Sequence, residues 1–401
     1  MKVLFDYSAF GQQLFGGVSK SFCELIAHRP LGEDYSIGIK QSNNVHLAEA
    51  ALVDGLKPAV YDRMSFTRHF GKGFVSRMTY AVLSRLPFST FADKVNKDYS
   101  ISLLKEGNYD VLHYTSIMGK YFLRYLGDKP FVYTVHDMIS ERCPQYFGST
   151  SKGTAFKRFL CERAAAVVVV SESTKRDLME ILGVPEEKIS VVYHGGPVHV
   201  EVKTAPIVEG QYFLFVGLRQ TYKNFLKTIE DFSLFARKHG GVRLVCTANA
   251  FNDSEKERIA ALGLTDRVIH TYVNEQGLKN LYTYALAFIY PSLYEGFGMP
   301  TLEAFAQGCP CLLNDNSCFR EVGGDAAFYF NSDGVKSNLP EVMEYVYNLT
   351  TEEREVVVNA GYEQLAKFSW TDAAKKLWDV YYGVTQGSQR TDNKRIIGRV
   401  S

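Results

Sequence analysis

The sequence predicts an α/β protein: two doubly wound parallel-sheet domains facing a central cleft. Three observations carry this. Short β-branched and aromatic runs alternate with longer helical patterns along most of the 401 residues. The apolar runs are continuous rather than alternating, as strands covered on both faces require. The rhythm breaks once, in the Gly-, Pro- and polar-rich stretch 195–211, "GGPVHVEVKTAPIVEGQ", and restarts at "YFLFVGL".

Taken in order, "KVLFDY" opens the chain as a strand. Further strands are expected at 109–115, 130–137, 164–171 and 188–195 before the break. After it they are expected at 212–217, 242–248, 267–273, 285–292 and 310–315. Helical patterns lie between most of them, and strand–helix–strand order implies right-handed crossovers. "SESTKRDLMEILG" starts with capping Ser and Thr and stops at Gly183. The divisions are then a first domain over 1–197, a linker over 198–210 and a second domain over 211–368. A closing amphipathic helix over 369–384 packs back on the first domain, and 385–401 is a polar, poorly ordered tail.

Charge is balanced, with 45 basic and 44 acidic side chains, so there is no whole-molecule field for nucleic acid. The seven cysteines are scattered, and Cys309, Cys311 and Cys318 lack a histidine at zinc spacing, so no metal site is expected. Scattered cysteines and a start without signal-peptide character predict a cytoplasmic protein. No apolar run reaches the roughly 18 residues a membrane span needs.

Chemistry concentrates where strands end. "YPSLYEGFGMPTLEAFAQG" carries Glu295 before a Gly-Phe-Gly turn and Glu303 after it. Gly296 and Gly298 permit backbone angles closed to other residues and let a ligand approach the peptide. Pro300 suits the first turn of a helix, whose free N–H groups and positive dipole end point past the sheet edge. Carboxylates only accept hydrogen bonds, which suits sugar or ribose hydroxyls. The bland alternative is an acidic helix N-terminus with turn glycines. "FVGLRQTYKNF" follows the first strand of the second domain and places Arg219 and Lys223 in its loop, where both can grip a diphosphate or simply face solvent. "FGQQLFGGVSK" follows the first strand of the chain, with Gly16 and Gly17 before a helix. That is a place for phosphate or a plain turn, and it is neither a Gly-x-Gly-x-x-Gly fingerprint nor a P-loop.

Together these segments resemble the GT-B glycosyltransferases of family 4, the retaining group 1 enzymes, most clearly over 211–330. There "GLRQTYKNF", the Glu295-x7-Glu303 element and "SCFREVGGDAAFYFN" occur in family order; "GGVSK", "YTVHD" and the closing "FSW" helix extend the likeness. The resemblance implies two Rossmann-like domains, the first binding acceptor and the second binding donor. It implies that Glu295 faces the transferred sugar with the backbone of Gly296, Phe297 and Gly298, and that Glu303 holds the ribose. Arg219 and Lys223 would neutralise the diphosphate, joined by Gly17 N–H groups from the first domain. His136 and Asp137 would lie in the first domain's half of the cleft, His136 on the sugar or acceptor or as a structural strand-end residue. Some members carry a histidine where Thr115 stands, so Thr115 is a further candidate for sugar contact. His113 reads as structural and His194 as structural or hinge-related.

The implied reaction moves a hexose, GDP-mannose being the favoured donor, to a saccharide in surface polysaccharide or lipid-linked glycan synthesis. It proceeds with retention and needs no metal or other cofactor. A silent sugar-nucleotide-binding subunit of a glycan-assembly complex, a GT-B epimerase and a phosphorylase are the alternatives. Residues 63–92 carry five Lys or Arg, no Asp or Glu, and interleaved aromatics. Such a segment can rest on anionic lipid at the inner face of a membrane, or pack as an ordinary helix.

Overall fold

A computed structural model describes residues 1–59, 73–83, 91–115, 119–148, 151–219 and 221–397, with the backbone alone from 387 onward. It contains two six-stranded sheets, parallel throughout. The first comprises β1 (Lys2–Phe5), β2 (Asp34–Ile37), β3 (Val111–Tyr114), β4 (Phe131–Val135), β5 (Ala166–Val169) and β6 (Ile189–Val191), in the order β2-β1-β3-β4-β5-β6. The second comprises β7 (Tyr212–Phe215), β8 (Arg243–Cys246), β9 (Val268–His270), β10 (Ala287–Tyr290), β11 (Cys311–Asn314) and β12 (Phe328–Phe330), in the order β12-β11-β10-β7-β8-β9.

Both sheets are covered on both faces, which is why their strands read as unbroken apolar runs. In β1, Leu4 joins one core cluster while Val3 and Phe5 join the other. In β7, Tyr212 and Leu214 face one side and Phe213 and Phe215 the opposite side. The winding reverses between β1 and β3 in the first sheet and between β7 and β10 in the second. Chain segments leaving adjacent strands at such a reversal diverge to opposite faces, and the crevice beyond the strand ends is the natural ligand site.

Five helices recur below: α1 (Gly17–Ala27), α2 (Glu172–Asp177), α3 (Phe225–Ala236), α4 (Met299–Ala306) and α5 (Trp370–Ile397). Ser171 caps α2 by accepting from the Thr174 N–H; the helix continues through a wider turn, Leu178–Leu182, and stops at Gly183, whose φ is 67°. Trp370, Leu377, Trp378 and Tyr381 of α5 are buried against the first sheet, in one cluster with Val3, Phe5 and Phe22.

The structure corrects several boundaries. The expected strands at 188–195 and 267–273 are three residues each, since the chain leaves the sheet at the cleft edge. Two edge strands, β2 and β12, were not expected. The helix expected to stop at 384 runs on to Ile397, through most of the expected tail. Most of the basic aromatic stretch 63–92 lies outside the described residues, as do 398–401.

Candidate active site

The two loops that follow β7 and β10 leave neighbouring strands at the reversal and border its crevice. After β7, Gly217 turns the chain with φ 107°, a short helical turn covers Thr221–Lys223, and Asn224 sits in the left-handed region before α3. After β10, the chain runs through Leu293 and Tyr294 to Glu295, then Gly298 at φ 93° opens α4. The Leu293 N–H donates to the Tyr222 carbonyl at 2.8 Å, tying one loop to the other. Lys223 Nζ then reaches Glu295 Oε1 at 2.5 Å. Both side chains are largely buried, at 19% and 10% exposed, yet neither is sealed in.

The first domain closes over this pair. His136 and Asp137 follow β4, and a Cβ built on Gly296 would fall 1.9 Å from the His136 carbonyl oxygen and 3.0 Å from the Asp137 Cβ. Only glycine permits that approach. Burial pushes the Asp137 carboxyl above the usual range, Lys157 and the Ile139 N–H pull it down, and the charge of Glu295 adds to the rise. Burial lowers His136 to about 4 and His194 to about 3, so both imidazoles are neutral at pH 7. Their rings stack at 6.1 Å, and His136 Nε2 and His194 Nδ1 are buried without a hydrogen-bond partner among the described residues.

Glu303 lies one turn into α4. Its partner comes from the other domain: Lys20 Nζ of α1 stands 3.7 Å from Glu303 Oε1. Burial raises the Glu303 carboxyl, and Lys20 opposes the rise. Gly17, first residue of α1, lies one turn before Lys20 and so on the same helix face. Among the described residues a Cβ on Gly17 would meet nothing within 4 Å, so its backbone is open there. Phe297 contributes backbone alone to this turn, because its ring packs on His194 and Phe368.

Two expected site residues are engaged elsewhere. Arg219 does not join Lys223. Its Nε donates to Glu255 at 3.0 Å, Nη1 to the Thr247 carbonyl at 2.9 Å, and Nη2 to the Asn249 and Ala250 carbonyls. Its side chain is 3% exposed, which makes it a brace between the ends of β7 and β8. Thr115 is likewise spent. Its hydroxyl donates to the buried Asp6 at 2.5 Å and accepts the Ala9 N–H at 3.0 Å, which organises the loop after β1. His113 bridges Tyr381 and Thr134 and is structural. Sequence reasoning missed Lys20, whose one signal was its place a turn beyond Gly-Gly.

Residues 201–364 match the family model described as glycosyl transferases group 1, and residues 71–198 match the model described as Glycosyltransferase Family 4. The chain belongs to the group 1 glycosyltransferases. The O-antigen chain mannosyltransferase RfbU of Salmonella typhimurium is 31% identical over 213 residues, 51% of this chain and 57% of that protein, so the match spans little more than half of that relative. The O-antigen chain mannosyltransferase B of Escherichia coli is 22% identical over 271 residues, 62% of this chain and 69% of that protein. Among solved structures, Anabaena Alr3699/HepE in complex with UDP and glucose superposes with a TM-score of 0.69 at 15% identity, covering 96% of this chain and all of that one. This glycosyltransferase therefore has the two-domain GT-B fold.

Proposed function

We propose that this glycosyltransferase moves a hexose, with retention, from a nucleotide-diphosphate sugar to a saccharide acceptor in surface polysaccharide or lipid-linked glycan synthesis. One observation carries the reading. Two glutamates flank a glycine turn at a strand reversal, and each is held by a lysine, one from each domain. Without a ligand, the pairs Lys223–Glu295 and Lys20–Glu303 satisfy each other. A diphosphate entering the cleft competes for the lysines, and hydroxyls of sugar and ribose supply the donors that the two carboxylates then need. Lys223, Lys20 and the N–H groups at Gly17 offset the charge that builds on the leaving diphosphate. Family likeness supports front-face attack, in which that phosphate takes the acceptor proton, so no dedicated base is required. The unpaired His136 Nε2 is suited to a sugar hydroxyl, and the raised Asp137 carboxyl stands beside it.

The mannosyltransferase relatives favour GDP-mannose, whereas HepE was solved with UDP and glucose. A thermal-shift screen of GDP-, UDP-, ADP- and dTDP-sugars decides between them, because a bound donor raises the melting temperature by mass action. Loss of transfer in Glu295→Ala with the fold intact supports the assignment; full activity in that variant rejects it.

The acceptor side is proposed to reach a membrane surface. The Phe74–Leu83 helix exposes Phe74, Val75, Met78 and Val82, and no helix among the described residues is long and apolar enough to cross a bilayer. Co-sedimentation with phosphatidylglycerol vesicles but not with phosphatidylcholine vesicles is the expected result; equal failure with both removes this element.

A further inference from the structure

The turn that carries Glu295 is held by the first domain, to which it does not belong. Leu293 and Tyr294 pack into the first domain's core with Val135, Met138 and Leu178. The Tyr294 hydroxyl donates to Asp177 Oδ2 at the end of α2. Burial and the adjacent Asp177 raise the Tyr294 phenol far above its ordinary range, so it stays protonated and remains the donor. The other oxygen of Asp177 accepts from Arg142 Nε at 2.7 Å and Nη2 at 2.5 Å, which fixes the carboxylate from behind. One turn earlier on the same helix, Thr174 Oγ1 donates to the Gly296 carbonyl at 3.4 Å. At the start of α2, the Glu172 and Ser173 N–H groups each donate to the Glu321 carboxylate of the second domain at 2.7 Å. Three levels of a single helix thus grip second-domain groups, and two of those grips bracket Glu295.

We infer that α2 is the jig for the catalytic turn: Asp177, through Tyr294, and Thr174, through the Gly296 carbonyl, are positioning residues that set where Glu295 stands. This rests on the reading of Glu295 given above. Tyr294 and Asp177 are both buried, and neither is among the groups proposed to hold the donor. Their loss should therefore leave donor binding in place and displace the carboxylate that acts on the sugar. A misplacement near 1 Å costs about a hundredfold in rate.

The test uses the full chain with Tyr294→Phe, Asp177→Asn and Glu295→Gln. Hydrogen exchange without substrate reads the Leu293 and Glu295 amides, which donate to the Tyr222 carbonyl and Ser317 Oγ. Both amides should exchange at least about tenfold faster in Tyr294→Phe and Asp177→Asn, with the Phe288 amide in β10 as an unchanged control. Kinetics with GDP-mannose should show kcat down about 10- to 100-fold and donor KM within about twofold. A merely structural role would lower the melting temperature and weaken donor binding together. Unchanged exchange in both variants overturns the inference. So does faster exchange with wild-type kcat while Glu295→Gln is inactive. A fully active Glu295→Gln brings down the reading of Glu295 itself.

Discussion

Arg219 and Lys223 sit four residues apart in one strand-end loop, and each pairs with a glutamate, yet the two pairs are opposites. The Arg219 guanidinium spends its donors on Glu255 and three carbonyls and is 3% exposed. Lys223 makes one carboxylate contact and faces aromatic rings, Tyr222 at 5.3 Å and Tyr290 at 5.4 Å. A cation with four of its five N–H donors engaged braces the fold, whereas one with most of its donor capacity left over can exchange partners. The comparison teaches that a cation in a strand-end loop is assigned by the partners it already has, not by its place in the loop.

The largest expected effect separates these two residues. Lys223→Ala should lower transfer by at least about a thousandfold while costing less stability than Arg219→Ala, since it removes one hydrogen bond where Arg219→Ala removes four. Arg219→Ala should instead cost about 3–5 kcal/mol of stability in urea unfolding, because it leaves Glu255 buried and unpaired. Equal loss of stability in both variants would break the comparison. Gly296→Ala comes next. Its methyl cannot occupy a point 1.9 Å from the His136 carbonyl, so the turn must move. The expected outcome is a loss of about a hundredfold or more in kcat, with both sheets intact by circular dichroism.

Glu303→Gln should be milder, raising donor KM about tenfold with little change in kcat, since a hydrogen bond to a charged group is worth about 1.5–3 kcal/mol. An unchanged KM would take the ribose role from Glu303. The smallest effect concerns pH. His194 is held neutral down to about 3, whereas the unfolded chain takes up that proton near pH 6.5. Between these values the unfolded state binds more protons, so the contribution of His194 to stability is complete above pH 6.5 and declines as pH falls. The stability of the wild type relative to His194→Asn should therefore drop by about 2 kcal/mol between pH 7 and pH 5 in urea unfolding.

The central strands were legible because burial on both faces writes a continuous apolar run. The edge strands were not. β2, "DYSI", ends in a single buried residue, and β12 is three residues with partial burial, so neither has that signal. The polar composition of 385–401 read as a tail, but α5 is anchored upstream by Trp370, Leu377, Trp378 and Tyr381 and continues to Ile397. In the candidate site, the nearness of Lys223 to the Glu295 turn was legible because both loops leave strand ends that border one crevice. Arg219 misled because Glu255, the residue that claims it, belongs to a distant capping box with Asn252. Lys20 was invisible because its carboxylate lies in the other domain.

The central claim is that Lys223 and its glutamate form the donor site. It is tested most directly by calorimetric binding of GDP and UDP to the wild type and to Lys223→Ala, both checked for folding. The account predicts that whichever diphosphate binds the wild type binds the variant at least about tenfold more weakly, as loss of a charged contact requires. Equal affinity in a folded Lys223→Ala would contradict it.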